Sequence, residues 1–201
     1  MILEGIVTTL GPQGALHVAP MGPRLGPGLS LQRFELRPFR TSNTYRNLKA
    51  RGEGVFHVTD DVLLLAQAAI GARLDPEPAV RPAERVSGWI LEGACRYHEF
   101  KVVELDDRED RAKLVVETLA EGRLRDFLGF NRARHAVVEA AILATRTSLL
   151  PRTQILDEFS RLAVIVAKTG GPVEEKAFSL LHKYVLGAPE SPRSDQAATA
   201  P

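Results

Sequence analysis

A chain of 201 residues, 44% hydrophobic and 25% charged, carries enough apolar material for a substantial core, which excludes global disorder. Its 26 Lys and Arg stand against 25 Asp and Glu, a formal net charge of +1, so no overall field draws it to nucleic acid or anionic lipid and any anion must be held by a local cluster. The single cysteine, Cys95, excludes an internal disulfide and a cysteine-built zinc site. With no basic leader in "MILEGIVTTLGPQG" and no 18-residue apolar run, the expectation is a cytoplasmic protein with neither nucleic acid nor membrane as partner.

In chain order, "ILEGIVTT", "ALHVAPMG" and "LSLQRFELRP" mix alternation with β-branched residues between the Gly/Pro turns "LGPQG" and "GPRLGPG", which predicts strands. "TSNTYRNLKARG" predicts a short helix with Thr41 or Ser42 as N-cap and Gly52 past its end. "EGVFHVTD" is a further strand. "DDVLLLAQAAIG", apolar nearly all round, predicts a short buried helix with Thr59 or Asp60 as cap and Gly71 as stop. "ARLDPEPAVRPAER" reads as a proline-rich, charged loop, and "GWILEGACRYHEFKVVELDD" and "AKLVVETLAEGRLR" as longer strands broken by glycine. From Asn131 the pattern turns helical: one amphipathic helix, a second started by Pro151, and a third with Pro172 at its first position, Glu174 and Glu175 in its first turn and Gly187 beyond. The last stretch, 188–201, has nothing to bury and is expected to be a disordered tail.

Chemistry concentrates in "RPFRTSNTYRNLKARG", Arg37 to Gly52, which holds five positive side chains and no acid. On a helix Thr44 and Asn47 share a face, Thr41 and Ser42 sit where free backbone N–H groups favour an anion, and Arg40 arrives from the preceding strand. That donor set suits a phosphate, with an ordinary capped helix bearing a basic solvent face as the alternative. No P-loop occurs, and "GPRLGPG" is turn chemistry rather than a dinucleotide fingerprint. Asp60 and Asp61 read as N-cap and first-turn residues. His135 and Glu139 are spaced for a metal but lack a third ligand, and with Arg132 and Arg146 they form a polar stripe, so no metal is expected. Cys95 reads as a small core residue.

The order "HVAPMG", Gly/Pro-rich loop, strand, "RTSNTYRNL", "GVFHVTDD" resembles the FMN-binding split-barrel superfamily of flavin reductases and pyridoxamine-phosphate-oxidase-like proteins. Thr44 and Asn47 match its "T-x-x-N"-like helix start, and "VFHVTD" its "F-x-V-N-V"-like strand, with His57 where asparagine is usual. Together with "FNRARHAVVEAAILATR", these motifs look like an uncharacterised prokaryotic family that joins a split barrel to a C-terminal helical segment. The resemblance implies an α+β fold: an FMN-binding split β-barrel over 1–128 and a helical segment over 129–187. It implies FMN as cofactor, a homodimer, and an oxidoreductase of flavin-reductase-like type whose substrate is unknown and whose electron donor is a reduced nicotinamide or another reductant. A flavin-carrying binding or scaffold protein is the alternative. Mapped onto this chain, Arg40, Thr41, Ser42, Thr44 and Asn47 would hold the FMN phosphate, Pro20, Met21 and Gly22 would lie along the isoalloxazine, and Val58 and Thr59 would approach from the neighbouring strand. Catalytic residues are not assigned.

Overall fold

The computed structural model describes residues 1–189. Nine strands occur in chain order: β1 Ile6–Leu10, β2 Leu16–Pro20, β3 Arg24–Leu25, β4 Arg33–Leu36, β5 Glu53–Val58, β6 Val80–Pro82, β7 Trp89–Leu91, β8 Arg96–Asp106 and β9 Lys113–Arg123. Seven of them form one antiparallel sheet in the order β2-β1-β5-β8-β9-β4-β3, and β6 pairs with β7 as a separate ribbon. The residues ahead of β1 curl this sheet on itself. Ile2 bridges Arg24, the Leu3 N–H donates to the Pro23 carbonyl at 3.1 Å, and the Leu25 N–H donates to the Met1 carbonyl at 2.9 Å. One continuous stretch therefore joins β3, at one edge of the sheet, to the β2-β1 edge at the other, which is the closure of a barrel.

Alternation along the strands gives the sheet two apolar faces. On one, Val7, Phe34, Phe56, Phe100, Leu114 and Val116 are buried with Tyr45 and Leu48 of helix α1 (Asn43–Arg51), and Phe34 meets both Phe56 and Phe100 at 5.8 Å between ring centroids. On the other, Val55 and Tyr97 pack with Val86 and Ile90, the last from β7. Two polar bonds fasten β7 to this face: the Thr8 hydroxyl donates to the Trp89 carbonyl at 2.7 Å, and the Leu91 N–H donates to Nε2 of His57 at 3.0 Å. Gly5 permits the close pairing at the start of β1, since a Cβ there would lie 2.5 Å from both the His57 carbonyl oxygen and the Phe56 ring. α1 starts on Ser42, whose hydroxyl accepts the Tyr45 N–H at 3.2 Å, and stops at Gly52, whose φ of 72° is one that glycine adopts without strain.

The chain divides into two compact units, Met1–Asp60 with Pro76–Leu128, and Asp61–Asp75 with the residues from Gly129 onward. The second consists of α2 (Val62–Ala69), α3 (Arg132–Ala144), α4 (Arg152–Thr169) and α5 (Pro172–Gly187). α2 packs on α3 and α5, and α3 packs on α4 and α5, with Ala133, Ala136, Ala140, Ala141 and Ala144 giving α3 a small-residue face against its neighbours. Asn131 caps α3 by accepting the Arg134 N–H and also donates to the Thr169 carbonyl at 3.0 Å, while Glu174 accepts from both Arg134 (3.0 Å) and the Gly171 N–H (2.9 Å). Among the described residues no helix is long and apolar enough to cross a membrane.

Four expectations are corrected. "ARLDPEPAVRPAER" is not all loop, because Val80–Pro82 pairs with Trp89–Leu91 across a turn. The cap of α2 is Asp61, which accepts the Leu64 N–H at 3.0 Å; Asp60 instead pairs with Arg125. The segment 61–75, expected within a 1–128 unit, clusters with the helices because an apolar helix needs partners on every side. Gly187 is the last residue of α5 rather than the stop beyond it. Of the expected tail, Ala188 accepts a bond from Arg152, and 190–201 lie outside the described residues.

His57 links this fold to pH. It is fully buried, accepts a proton-bearing N–H and is therefore neutral, and burial pushes its pKa down to about 3, an effect that the nearby Ile6 backbone offsets only in part. A histidine that resists protonation when folded but titrates near 6.5 when unfolded contributes stability that is intact above pH 6.5 and is lost as pH falls toward 3. Between pH 6.5 and 5 the loss from this one group is up to about 2 kcal/mol. His57→Asn keeps an acceptor for the Leu91 N–H without the titration, so urea midpoints measured from pH 7.5 to 4.5 should fall less steeply in the variant than in the wild type.

Candidate functional site

The charged stretch singled out in the sequence folds as predicted into a helix, α1, and its position on β1 and β2 creates a groove of about 740 Å³. Asn43, Arg46, Asn47, Ala50 and Arg51, one face of α1 at i, i+3, i+4, i+7 and i+8, form one wall. Leu10 through Pro12 and Ala15 through His17, the two sides of the β1–β2 turn, form the other. Two contacts set the helix on the strands. The Asn47 amide donates to the Thr9 hydroxyl at 2.9 Å, both groups buried, and Nε2 of His17 lies 3.2 Å from the Thr44 hydroxyl. Thr9 and His17 are register partners, so both bonds fall on the same rung of the sheet.

The electrostatics of α1 are inverted at its start. A helix N-terminus carries partial positive charge and normally attracts acids, yet the first turn of α1 contains none. In their place the Arg46 guanidinium folds back along the helix to donate to the Thr41 carbonyl (2.8 Å) and to Asn43 Oδ1, and Arg40 stands just before the cap. The amides of the first turn have no intrahelical acceptor by geometry, and Ser42 satisfies one of them. Arg46 and the open amides thus stand at the start of a helix whose first turn holds no acid, while the Ser42 hydroxyl donates to the Phe39 carbonyl at 2.7 Å and the Thr44 hydroxyl is engaged by His17. His17 reinforces this: burial, then the charge of Arg46, lowers its pKa, so it stands neutral beside Thr44.

The residues expected to form a phosphate site separate into two groups. Thr44 and Asn47 are buried toward β1 and β2, Asn47 lines the main groove, and Ser42 caps the helix between. Arg40 and Thr41 line a second groove of about 520 Å³ with Phe39, Tyr45 and Asp110, where the Arg40 N–H is held by the Asp110 carbonyl at 2.9 Å. The residues expected beside a flavin ring do converge. Register places Pro20 opposite Ile6, and Ile6 opposite His57, so the β2 and β5 ends flank the start of β1. Met21 and Val58 are half-buried against the same apolar cluster, and the Met21 N–H donates to the Gly5 carbonyl at 2.9 Å. Gly22 faces the N-terminal strand, where a Cβ would lie 2.5 Å from Ile2. Thr59 follows Val58, whose carbonyl accepts the Cys95 N–H at 2.8 Å.

Sequence reasoning did not single out His17, Asn43, Arg46 or Arg51 as site residues. For the helical three, the signal was the spacing 43, 46, 47, 50, 51, which puts them on the face of Asn47. Cys95 is buried as expected, but in the turn before β8, 3.8 Å from Asp60. No cluster of three metal-ligating side chains occurs among the described residues.

Two family models, described as a protein of unknown function (DUF447), match the chain: an N-terminal domain over residues 3–125 and a second model over 131–183. No curated protein matches the sequence. Among solved structures, the FMN-bound DUF447 protein MM1853 from Methanosarcina mazei superposes with a TM-score of 0.78 at 22% identity, covering 91% of this chain and 94% of that one. A homologue of nitrilotriacetate monooxygenase component B from Mycobacterium thermoresistibile gives a TM-score of 0.52 at 16% identity, over 63% of this chain and 71% of its own. The Streptomyces globisporus NADH:FAD oxidoreductase SgcE6 gives 0.50 at 15% identity, over 61% and 75%. The fold is that of the FMN-binding split-barrel proteins, as the sequence motifs implied.

The Asn47–Thr9 bond gives a test of how α1 is seated. Asn47→Ala leaves a buried threonine hydroxyl without its donor and should lower unfolding stability by about 1–3 kcal/mol. Thr9→Val in the same background should cost little more, since the interaction is already gone, and urea denaturation of the double-mutant cycle measures both.

Proposed function

This chain belongs to the DUF447 family, and from that premise we propose that it is an FMN-binding flavoprotein, an oxidoreductase of flavin-reductase-like type. The observation that carries the proposal is the inverted charge at the start of α1: Arg46 and open amides in a first turn that contains no acid, with Arg40, which also feels Asp107, just ahead of it. A phosphate dianion supplies the missing charge and can accept from the first-turn amides and the remaining guanidinium N–H groups. The spacing to the ring site also fits. His17, beside Thr44, is three residues from Pro20 on β2, about 10 Å along an extended strand, the length a ribityl chain needs between a phosphate and an isoalloxazine. The FMN-bound state of the Methanosarcina mazei protein MM1853 supports the same cofactor.

In this reading Ser42, Thr44, Arg46 and Arg40 hold the phosphate, and Pro20, Met21, Gly22, Val58 and Thr59 border the ring, Met21 and Val58 with apolar surface and the strand ends with backbone groups. Asn47 acts one step back, holding α1 on Thr9 so that the first turn faces β2. Bound FMN would supply hydride and electron transfer, and the chain's task is to orient it, shield it from water and admit a donor. A reduced nicotinamide is the donor class we favour, in line with the NADH-using oxidoreductase among the structural neighbours. The half-exposed Val103, Leu105 and Leu119 on the long β8–β9 hairpin support a homodimer, and the single buried cysteine suits a reducing cytoplasm.

Freshly purified protein should be yellow and release FMN on denaturation. Thr44→Ala and Arg46→Gln should each weaken FMN binding by about 1–3 kcal/mol while leaving riboflavin, which lacks the phosphate, nearly unaffected. An unchanged FMN-to-riboflavin preference in both variants would move the phosphate elsewhere, with Arg132 as the next candidate. Anaerobic reduction of the bound flavin by NADH or NADPH, followed by turnover on an acceptor, separates an oxidoreductase from a flavin-carrying scaffold. Light scattering should give the mass of a dimer.

A further inference from the structure

The groove beside α1 is larger than the phosphate reading uses. From Asn43 to Arg51 it follows nine residues of helix, eight rises or about 12 Å, whereas a phosphate at the first turn occupies only its start. Its volume of about 740 Å³ falls within the roughly 300–1,000 Å³ of sites that enclose a whole small molecule. The far half has two chemical characters. Arg51 lines the groove and spends one of its five N–H donors on the Gly11 carbonyl at 3.3 Å, which leaves the others for a ligand. Beside it, Leu10, Pro12, Leu16 and Ala50 supply an apolar lining, and Leu16 is 36% exposed. No carboxylate lines any part of the groove, so nothing there neutralises Arg46 or Arg51.

A cationic strip that continues into an apolar wall matches a ligand with phosphates at one end and a flat base at the other. We infer that this groove binds the adenosine diphosphate moiety of a dinucleotide, its phosphates on Arg51, next to the flavin phosphate at Arg46, and its base against Leu10, Leu16 and Ala50. The moiety has two sources: the adenylate half of FAD, in continuity with the flavin phosphate, or that of a nicotinamide donor bound beside FMN. The assignment of sources rests on the flavin reading, whereas the groove's preference for the adenosine diphosphate moiety does not.

The test is calorimetric titration of the full chain with ADP, as isolated and after loading with FMN. Wild type should bind ADP. Arg51→Gln should weaken it at least tenfold and Ala50→Glu, which places a bulky anion on the groove wall, should abolish it, while both variants keep their melting temperature and bind FMN within twofold of wild type. FAD that displaces ADP as a single ligand assigns the groove to the flavin's own adenylate. NADH or NADPH that displaces ADP while FMN is retained assigns it to the donor. Failure of wild type to bind ADP, or ADP affinities unchanged in both variants, overturns the inference, and ADP that neither dinucleotide displaces overturns the dinucleotide part of it. Failure of FMN itself to bind sinks the flavin reading instead, and the ADP titration of the protein as isolated still decides the groove.

Discussion

The N-terminal strand is the constraint on which the barrel unit depends. Residues 1–3 pair with β3, and Ile6–Leu10 then run between β2 and β5, so one short segment closes the sheet and also occupies its interior. The proposed site is built from what lies on either side of it. β2 and β5 end together because both are registered on β1, and α1 is seated by a bond to Thr9 of the same strand. Gly5 marks how little slack there is: the space its side chain would need is filled by the Phe56 ring and the His57 carbonyl. A displacement of β1 by one residue would move the ends of β2 and β5 and the helix seat at once.

The second determinant is electrostatic. Most helices place acids at the start and bases at the end; α1 has Lys49 and Arg51 in its last turn, as expected, but turns Arg46 back to its first turn as well. The backbone carbonyl of Thr41 and the amide of Asn43 hold the guanidinium in place, so the charge is pre-positioned rather than recruited from a mobile side chain. An anion bound there would offset the remaining cost of gathering like charge at a positive helix end. The same helix thus serves two ends of one groove.

Much of this organisation was legible in the residues. Alternation found the main strands, Ser42 and Gly52 bounded α1, and Pro172 with its following glutamates marked the start of α5. Pro20, Met21 and Val58, expected beside a flavin ring, lie close together because β2 and β5 are both registered on β1. What was not legible depended on partners distant in sequence or on rotamers. β6 lies in a proline-rich, charged run and is a strand only because Trp89–Leu91 returns to it. The division of Arg40 from Asn47 arises because Arg40 precedes the helix and follows the Asp110 carbonyl, while Asn47 is set by the helical period. At position 57 an imidazole serves as acceptor for an N–H thirty-four residues away, a role no local spacing reveals.

The chain passes between its two units three times, because α2 is inserted between β5 and β6 yet packs on α3 and α5, which come after residue 129. On the ribosome this order matters. α2, buried along Val62–Gln67 in the finished protein, emerges long before α3 and α5 have been made, and during that interval its apolar surface has none of its native partners. The barrel strands on both sides of it can pair meanwhile, so the nascent chain holds a tethered, unshielded helix at a loop of an otherwise advancing fold. Release of α5 from the exit tunnel, rather than completion of the sheet, is then the event that ends the chain's exposure to aggregation and chaperone capture.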